Sequence, residues 1–175
     1  MCLCLWLFAG GVLAQAAPQP PLERHLKAAY LYRFAGFVTW PGDAFVLPDS
    51  PLLIGVAGND ELAAEVAHMV AGRSVNGRAL EVRRVLRGDS LAGLHILFIG
   101  KLERADLADL LGAARAYPLL TVSDSSEAAA LGAMVNFVVV DRRLRFAVAL
   151  APVGAARLHI SARMLAVARR VEVAS

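Results

Sequence analysis

Cysteine is almost missing from this chain, and both copies, Cys2 and Cys4, fall within its first few residues. From Met1 to Ala17 there is no charged side chain, and the apolar run closes on Ala14-Gln15-Ala16. Small residues after an apolar core mark a secretory signal. Roughly fifteen apolar residues are too few to span the ~30 Å of hydrocarbon in a bilayer. The sequence therefore predicts a signal peptide over 1–16, a proline-rich tether over 17–21 and one α/β domain over 22–175. Loss of the signal removes both cysteines. Disulfides, thiolate metal sites and cysteine nucleophiles are then excluded from the exported domain.

Other absences narrow the function. The basic residues are scattered, in small groups at Arg83-Arg84 and Arg87, at Arg142, Arg143 and Arg145, and at Arg169-Arg170. No dense Lys/Arg run interleaves with aromatics, which argues against nucleic acid as a partner despite a net charge of +3. His25, His68, His95 and His159 lack the i, i+4 spacing of a helical metal pair. His95 opens an apolar strand and reads as a satisfied histidine at the core's edge. There is no Gly-x-Ser-x-Gly elbow and no phosphate-cradling glycine loop, so no catalytic residue, metal or cofactor is assigned.

Apolar side chains make up 58 % of the chain, enough for a buried sheet. The segment Lys27–Phe45 carries Tyr30, Tyr32, Phe34, Phe37, Trp40 and Phe45, and from Ala28 to Gly42 its one charge is Arg33. It reads as a helix over 22–38, buried nearly all round and stopped by Trp40-Pro41-Gly42. Three continuous apolar runs of strand length follow, Pro51–Ala57, His95–Ile99 and Pro118–Val122, each leading into a helix. A further strand with one wet face covers Ala79–Val85, after a turn marked by Asn76-Gly77. Such alternation predicts a mostly parallel sheet with helices on both faces, a Rossmann-like or receiver-like three-layer sandwich. Met134–Val140 and Leu144–Leu150, joined at Asp141–Arg143, predict an antiparallel hairpin near the C-terminus. Ser161 is expected to cap a last helix through Arg170.

The parallel strands end in Gly58-Asn59-Asp60, Gly100-Lys101 and Ser123-Asp124-Ser125. Ligands of open α/β sheets bind beyond the carboxyl ends of the strands, where helix N-termini favour anions. Asn59, Lys101, Ser123 and Asp124 are therefore candidates for holding a small anionic ligand, and equally for ordinary caps and turns. Arg33 is a candidate because a guanidinium in an apolar helix needs a partner such as Asp43, Asp124 or Asp141, unless it lies on the helix's wet edge. Asn136, set between Val135 and Phe137, needs its amide satisfied and would serve either a ligand or a neighbouring loop.

The stretches Lys27–Phe34 and Phe37–Pro41 resemble the opening helix of the YfiR family of exported bacterial domains. The likeness continues in order through Val75–Arg78, His95–Ile99, Leu120–Asp124, Gly132–Phe137, Arg145-Phe146 and Ile160-Ser161. It implies a periplasmic α/β regulator that binds the periplasmic domain of a membrane signalling protein. The namesake represses an inner-membrane diguanylate cyclase and so lowers cyclic di-GMP and biofilm formation; other members accompany sensor kinases or outer-membrane receptors. After Arg145-Phe146 the family commonly reads Glu-Ile-Asn, where this chain has Ala147-Val148-Ala149. A homodimer through helix 1 or the antiparallel edge is a further expectation.

Overall fold

Continuous apolar strands alternating with amphipathic helices have one economical packing, a sheet with a helical layer on each face. A computed structural model of the chain, which describes residues 21–172, has that architecture. The expected signal peptide and most of the tether lie outside the described residues. Helix α1 (Pro21–Phe37) starts on the proline and runs into a two-residue strand, β1 (Val38–Thr39). Then come β2 (Leu52–Ala57), α2 (Asp60–Val70), β3 (Ser74–Val75), β4 (Arg78–Val85), β5 (Leu94–Ile99), α3 (Arg104–Ala114), β6 (Leu120–Ser123) and α4 (Ser126–Ala130). The chain closes with β7 (Val135–Val140), β8 (Arg143–Ala149), α5 (Leu150–Ala155), β9 (His159–Ile160), α6 (Ala162–Val167) and β10 (Arg170–Glu172).

The main sheet runs β10-β8-β7-β6-β5-β2-β4-β3, and its five central strands β7, β6, β5, β2 and β4 are parallel. Counted along the chain, those five stand in the doubly wound order 2-1-3-4-5, with the switch point between β2 and β5. At one end β7 and β8 form the expected hairpin. Its turn residues Asp141 and Arg142 both have positive φ, +49° and +58°, as a twist-matched two-residue turn requires. At the other end the Asn76-Gly77 turn folds β3 onto β4.

Ile54, Val56, Ile96, Phe98 and Val122 face α1 and α2, while Leu97, Ile99, Leu107 and Leu111 pack on the α3 and α4 side. Helix α1 buries one stripe, Lys27, Ala28, Leu31, Phe34 and Ala35, and leaves Leu22, Leu26 and Arg33 exposed. The expectation of a helix buried all round is thus corrected. A helix laid on a sheet beside one neighbour has a side left to solvent, and here that side carries leucines. Its aromatics are largely core: Tyr30 and Phe34 meet Phe146 edge-on at centroid distances of 5.4 and 5.1 Å.

The C-terminal end also differs. Ser161 does cap a helix, its Oγ accepting from the Met164 N–H at 3.3 Å, but α6 stops at Val167 and Arg170–Glu172 is a strand parallel to β8. His159–Ile160 pairs antiparallel with Val38–Thr39, and the Ser161 N–H donates to the Phe37 carbonyl at 2.9 Å. The first and last parts of the domain are clasped there.

Candidate functional site

Beyond the carboxyl ends of β2, β5 and β6 lies a crevice of about 850 Å³. The sheet's topology places it, since chain leaving β2 and β5 turns to opposite faces and opens a gap. Gly58 lines it, with Gly100 packed against Gly58. The Gly100 N–H donates to the Ala57 carbonyl at 2.8 Å, and a Cβ on Gly100 would meet the Gly58 carbonyl oxygen at 2.8 Å. Only glycine allows that approach.

Four of the six sequence candidates line this crevice: Asn59, Lys101, Asp124 and Asn136. Asn59 caps α2, its Oδ1 accepting from the Leu62 N–H at 2.9 Å. Lys101 is exposed and belongs to none of the ion pairs among the described residues. Ser123 lies fully buried, donating through Oγ to the Ile99 carbonyl at 2.7 Å and accepting from the Ser125 N–H at 3.1 Å. It braces the strand ends from below. With its amide turned so that Nδ2 faces the carbonyls, Asn136 donates to Ser123 at 3.2 Å and Ser125 at 2.9 Å, tying the β6–α4 loop to β7.

Arg33 stands apart. It is exposed, it does not line the crevice, and the ion pairs of the described residues do not include it. Of its suggested partners, Asp43 pairs with Arg157 at 2.9 Å and Asp124 pairs with Lys27. The wet-edge reading is the one its position fits.

Lys27 is the residue that the sequence reading passes over. Its side chain is 2 % exposed, and its ammonium lies 2.6 Å from Glu23 Oε1 and 2.7 Å from Asp124 Oδ2. A buried ammonium is tolerable only with such pairing. Its spacing could have given it away: Lys27 stands four and seven residues before Leu31 and Phe34, on the same helical stripe. The crevice lining carries Glu23, Asp60, Glu61 and Asp124 against Lys27 and Lys101, an excess of carboxylate. Lys27 is already held by two of those carboxylates, so an anion entering the crevice would meet Lys101 as its available cation.

His95 lies at the opposite, amino end of β5. Its Nδ1 accepts from the Leu53 N–H at 3.1 Å, which leaves Nε2–H to donate to the Ala44 carbonyl at 3.1 Å. Phe45 stacks on its ring at 4.2 Å, Arg78 caps the far face of Phe45 at 3.6 Å, and Trp40 Nε1 donates to the His95 carbonyl at 3.1 Å. Burial lowers its pKa from 6.5 to about 4, with Arg78 adding to the effect against the opposing bond to Ala44. It pins the loop between β1 and β2.

Among the described residues no three His, Cys, Asp or Glu side chains converge as a metal site, and no helix is long and apolar enough to cross a membrane. The family model described as YfiR/HmsC-like (DUF4154) matches residues 24–169, nearly the whole described domain. No curated protein matches the chain.

Proposed function

The chain belongs to the YfiR/HmsC-like family, and from that premise we propose that it is a periplasmic regulatory protein that acts by binding another protein. Its partner is the periplasmic sensor domain of an inner-membrane signalling protein, in the first place a diguanylate cyclase, which it represses. Cyclic di-GMP and biofilm formation fall as a result. One structural observation favours a protein partner. On the α3 side of the β7–β8 hairpin, Val138, Val140, Ala147 and Ala149 line an open hollow of about 360 Å³. Arg143 and Arg145 stand beside Val140 and Val138 in register, and Arg170 stands beside Ala147. An apolar floor with a rim on which Arg169 and Arg170 outnumber Glu172 suits an apolar segment flanked by carboxylates.

Capture of the membrane fraction on the immobilised mature domain tests the proposal. A membrane signalling protein should be retained, and Val138→Asp or Ala147→Arg should release it while the domain's melting temperature holds. Deletion of the gene should raise cyclic di-GMP; an unchanged level would remove the cyclase from the proposal and leave a sensor kinase or an outer-membrane receptor as partner.

A second reading is a small-molecule sensor or adaptor that uses the strand-end crevice, favoured by its position at the switch point. Lys101 would meet an anionic group there, against the neighbouring carboxylates of Asp60 and Glu61. A thermal-shift screen of small carboxylates and nucleotides tests it, and a flat response across the set would count against it.

A further inference from the structure

A second cavity lies beside the Gly58–Gly100 contact, on the α3 face of the sheet. It holds about 450 Å³ between α3 and the loop that joins β4 to β5. Pockets for small organic molecules run to roughly 300–1,000 Å³ and are mostly apolar with a few placed polar groups. This one fits that description. Its floor is Ala57 and Val85, the last residues of β2 and β4, together with Leu91, and its walls are Leu102 and Leu110.

The charges at the mouth are unequal. Asp89, Asp106 and Asp109 line it against Arg87 alone. Asp89 Oδ2 is engaged with the Leu86 N–H at 2.9 Å, as the cap of its own turn. Arg87 reaches across the opening to Asp106 at 2.8 Å, but its side chain is 79 % exposed. A pair that open to water holds by at most about 1 kcal/mol, so it closes the mouth without locking it. Asp109, one turn further along α3, is exposed and belongs to no ion pair among the described residues. Its carboxylate stands at the rim of an apolar chamber with no cation assigned to it.

We propose that this cavity binds a small organic cation, a primary amine on an aromatic or branched-aliphatic body. The hydrocarbon would fill the chamber between Val85, Leu91 and Leu110, and the ammonium would sit at Asp109, beside the Arg87–Asp106 pair. An anionic analogue of the same shape would bring its carboxylate to a mouth where three aspartates outnumber the one arginine, itself already paired with Asp106. Selectivity therefore comes from charge at the rim, and affinity from apolar area below it. This site is separate from the crevice and from the hairpin face, and it stands whether or not either of them binds a partner.

The test uses the purified domain with two probe amines, 2-phenylethylamine and cyclohexylmethylamine, and with phenylacetate as the anionic counterpart of the first. Chemical shifts of residues 85–91 and 106–113 are followed by NMR. Both amines should move these signals with saturation in the millimolar range or below, and phenylacetate should bind at least tenfold more weakly. Asp109→Asn should weaken the amines several-fold without lowering the melting temperature. Leu110→Trp should abolish binding by filling the chamber; Ala113→Phe, at the exposed edge, does the same job if the core variant folds poorly. Equal binding of phenylacetate, no shifts with either amine, or binding that survives both filling variants would overturn the proposal.

Discussion

Lys27 Nζ and Asp124 Oδ2 are 2.7 Å apart, one from the first helix and the other from the end of the fourth parallel strand. The pair fixes α1 to the rim of the sheet and holds the buried ammonium between two carboxylates at the floor of the crevice. Removing the lysine takes from Glu23 and Asp124 the ammonium that both of them contact. Removing Asp124 leaves the lysine still held by Glu23. Lys27→Met is therefore expected to cost about 2 kcal/mol, below the full penalty for a buried pair because both carboxylates are partly wet. Asp124→Asn should cost less. Urea midpoints measure both, and a Lys27→Met protein as stable as the parent would contradict the assigned pairing.

Acid should loosen the other end of the sheet. His95 titrates at about 4 when folded and at 6.5 when unfolded, so the unfolded chain takes up the proton first. The stability from keeping it neutral is complete above about pH 6.5 and drains away as pH falls toward 4. The total is on the order of 3 kcal/mol. Protonation at Nδ1 also sets an N–H against the Leu53 N–H. Denaturation curves from pH 7 to 4 should show the loss, and His95→Gln should flatten it; an equal slope in both proteins would assign the acid effect to other groups.

Two glycines give opposite expectations for the same change. Alanine at position 100 would drive its Cβ to 2.8 Å from the Gly58 oxygen and 3.1 Å from its carbonyl carbon, both backbone atoms that cannot step aside. Gly100→Ala should destabilise by roughly 1–3 kcal/mol. Gly112 lies inside α3, and a Cβ there meets nothing within 4 Å. Gly112→Ala should stabilise by about 0.5–1 kcal/mol. Thermal melts of the two variants would move in opposite directions.

The departure at Ala147 has a defined neighbourhood. Its register partners are Asn136 on β7 and Arg170 on β10. Glutamate there would face an arginine that already pairs with Glu172 at 3.2 Å, so two carboxylates would share one cation and the gain stays at the low end of about 0.2–1 kcal/mol. Ala147→Glu should therefore raise the melting temperature slightly and make the hairpin hollow less apolar. A large destabilisation would mean that the position is closed and not a surface.

The strand ends were readable because a parallel strand buried on both faces must be apolar throughout, so Gly58-Asn59, Gly100-Lys101 and Ser123-Asp124 stand out as interruptions. Asn136 was readable as an amide among valines. Lys27 was hidden by its place at the edge of a charged segment, where a lysine looks like solvent contact; only the helical stripe it shares with Leu31 and Phe34 marks it as inside. Arg33 stands out for the opposite reason, as a charge among aromatics, yet it is exposed. The short strands β1, β9 and β10 were beyond pattern. Two or three residues cannot show alternation, and Arg170–Glu172 carries charge because it lies at the sheet's edge.

The β1–β9 clasp bears on the order in which the chain can fold. Val38 has Ile160 as its partner, at nearly the other end of the domain, and Phe37 receives its last bond from Ser161. A chain that emerges N-terminus first presents its aromatic-rich opening helix long before the segments that secure it exist. Tyr30 and Phe34 must then wait uncovered for Phe137 and Phe146. Contacts of such long sequence separation slow folding and prolong the exposure of sticky surface. The segment that makes this domain easiest to recognise is thus the one that most needs shelter while the chain is being made.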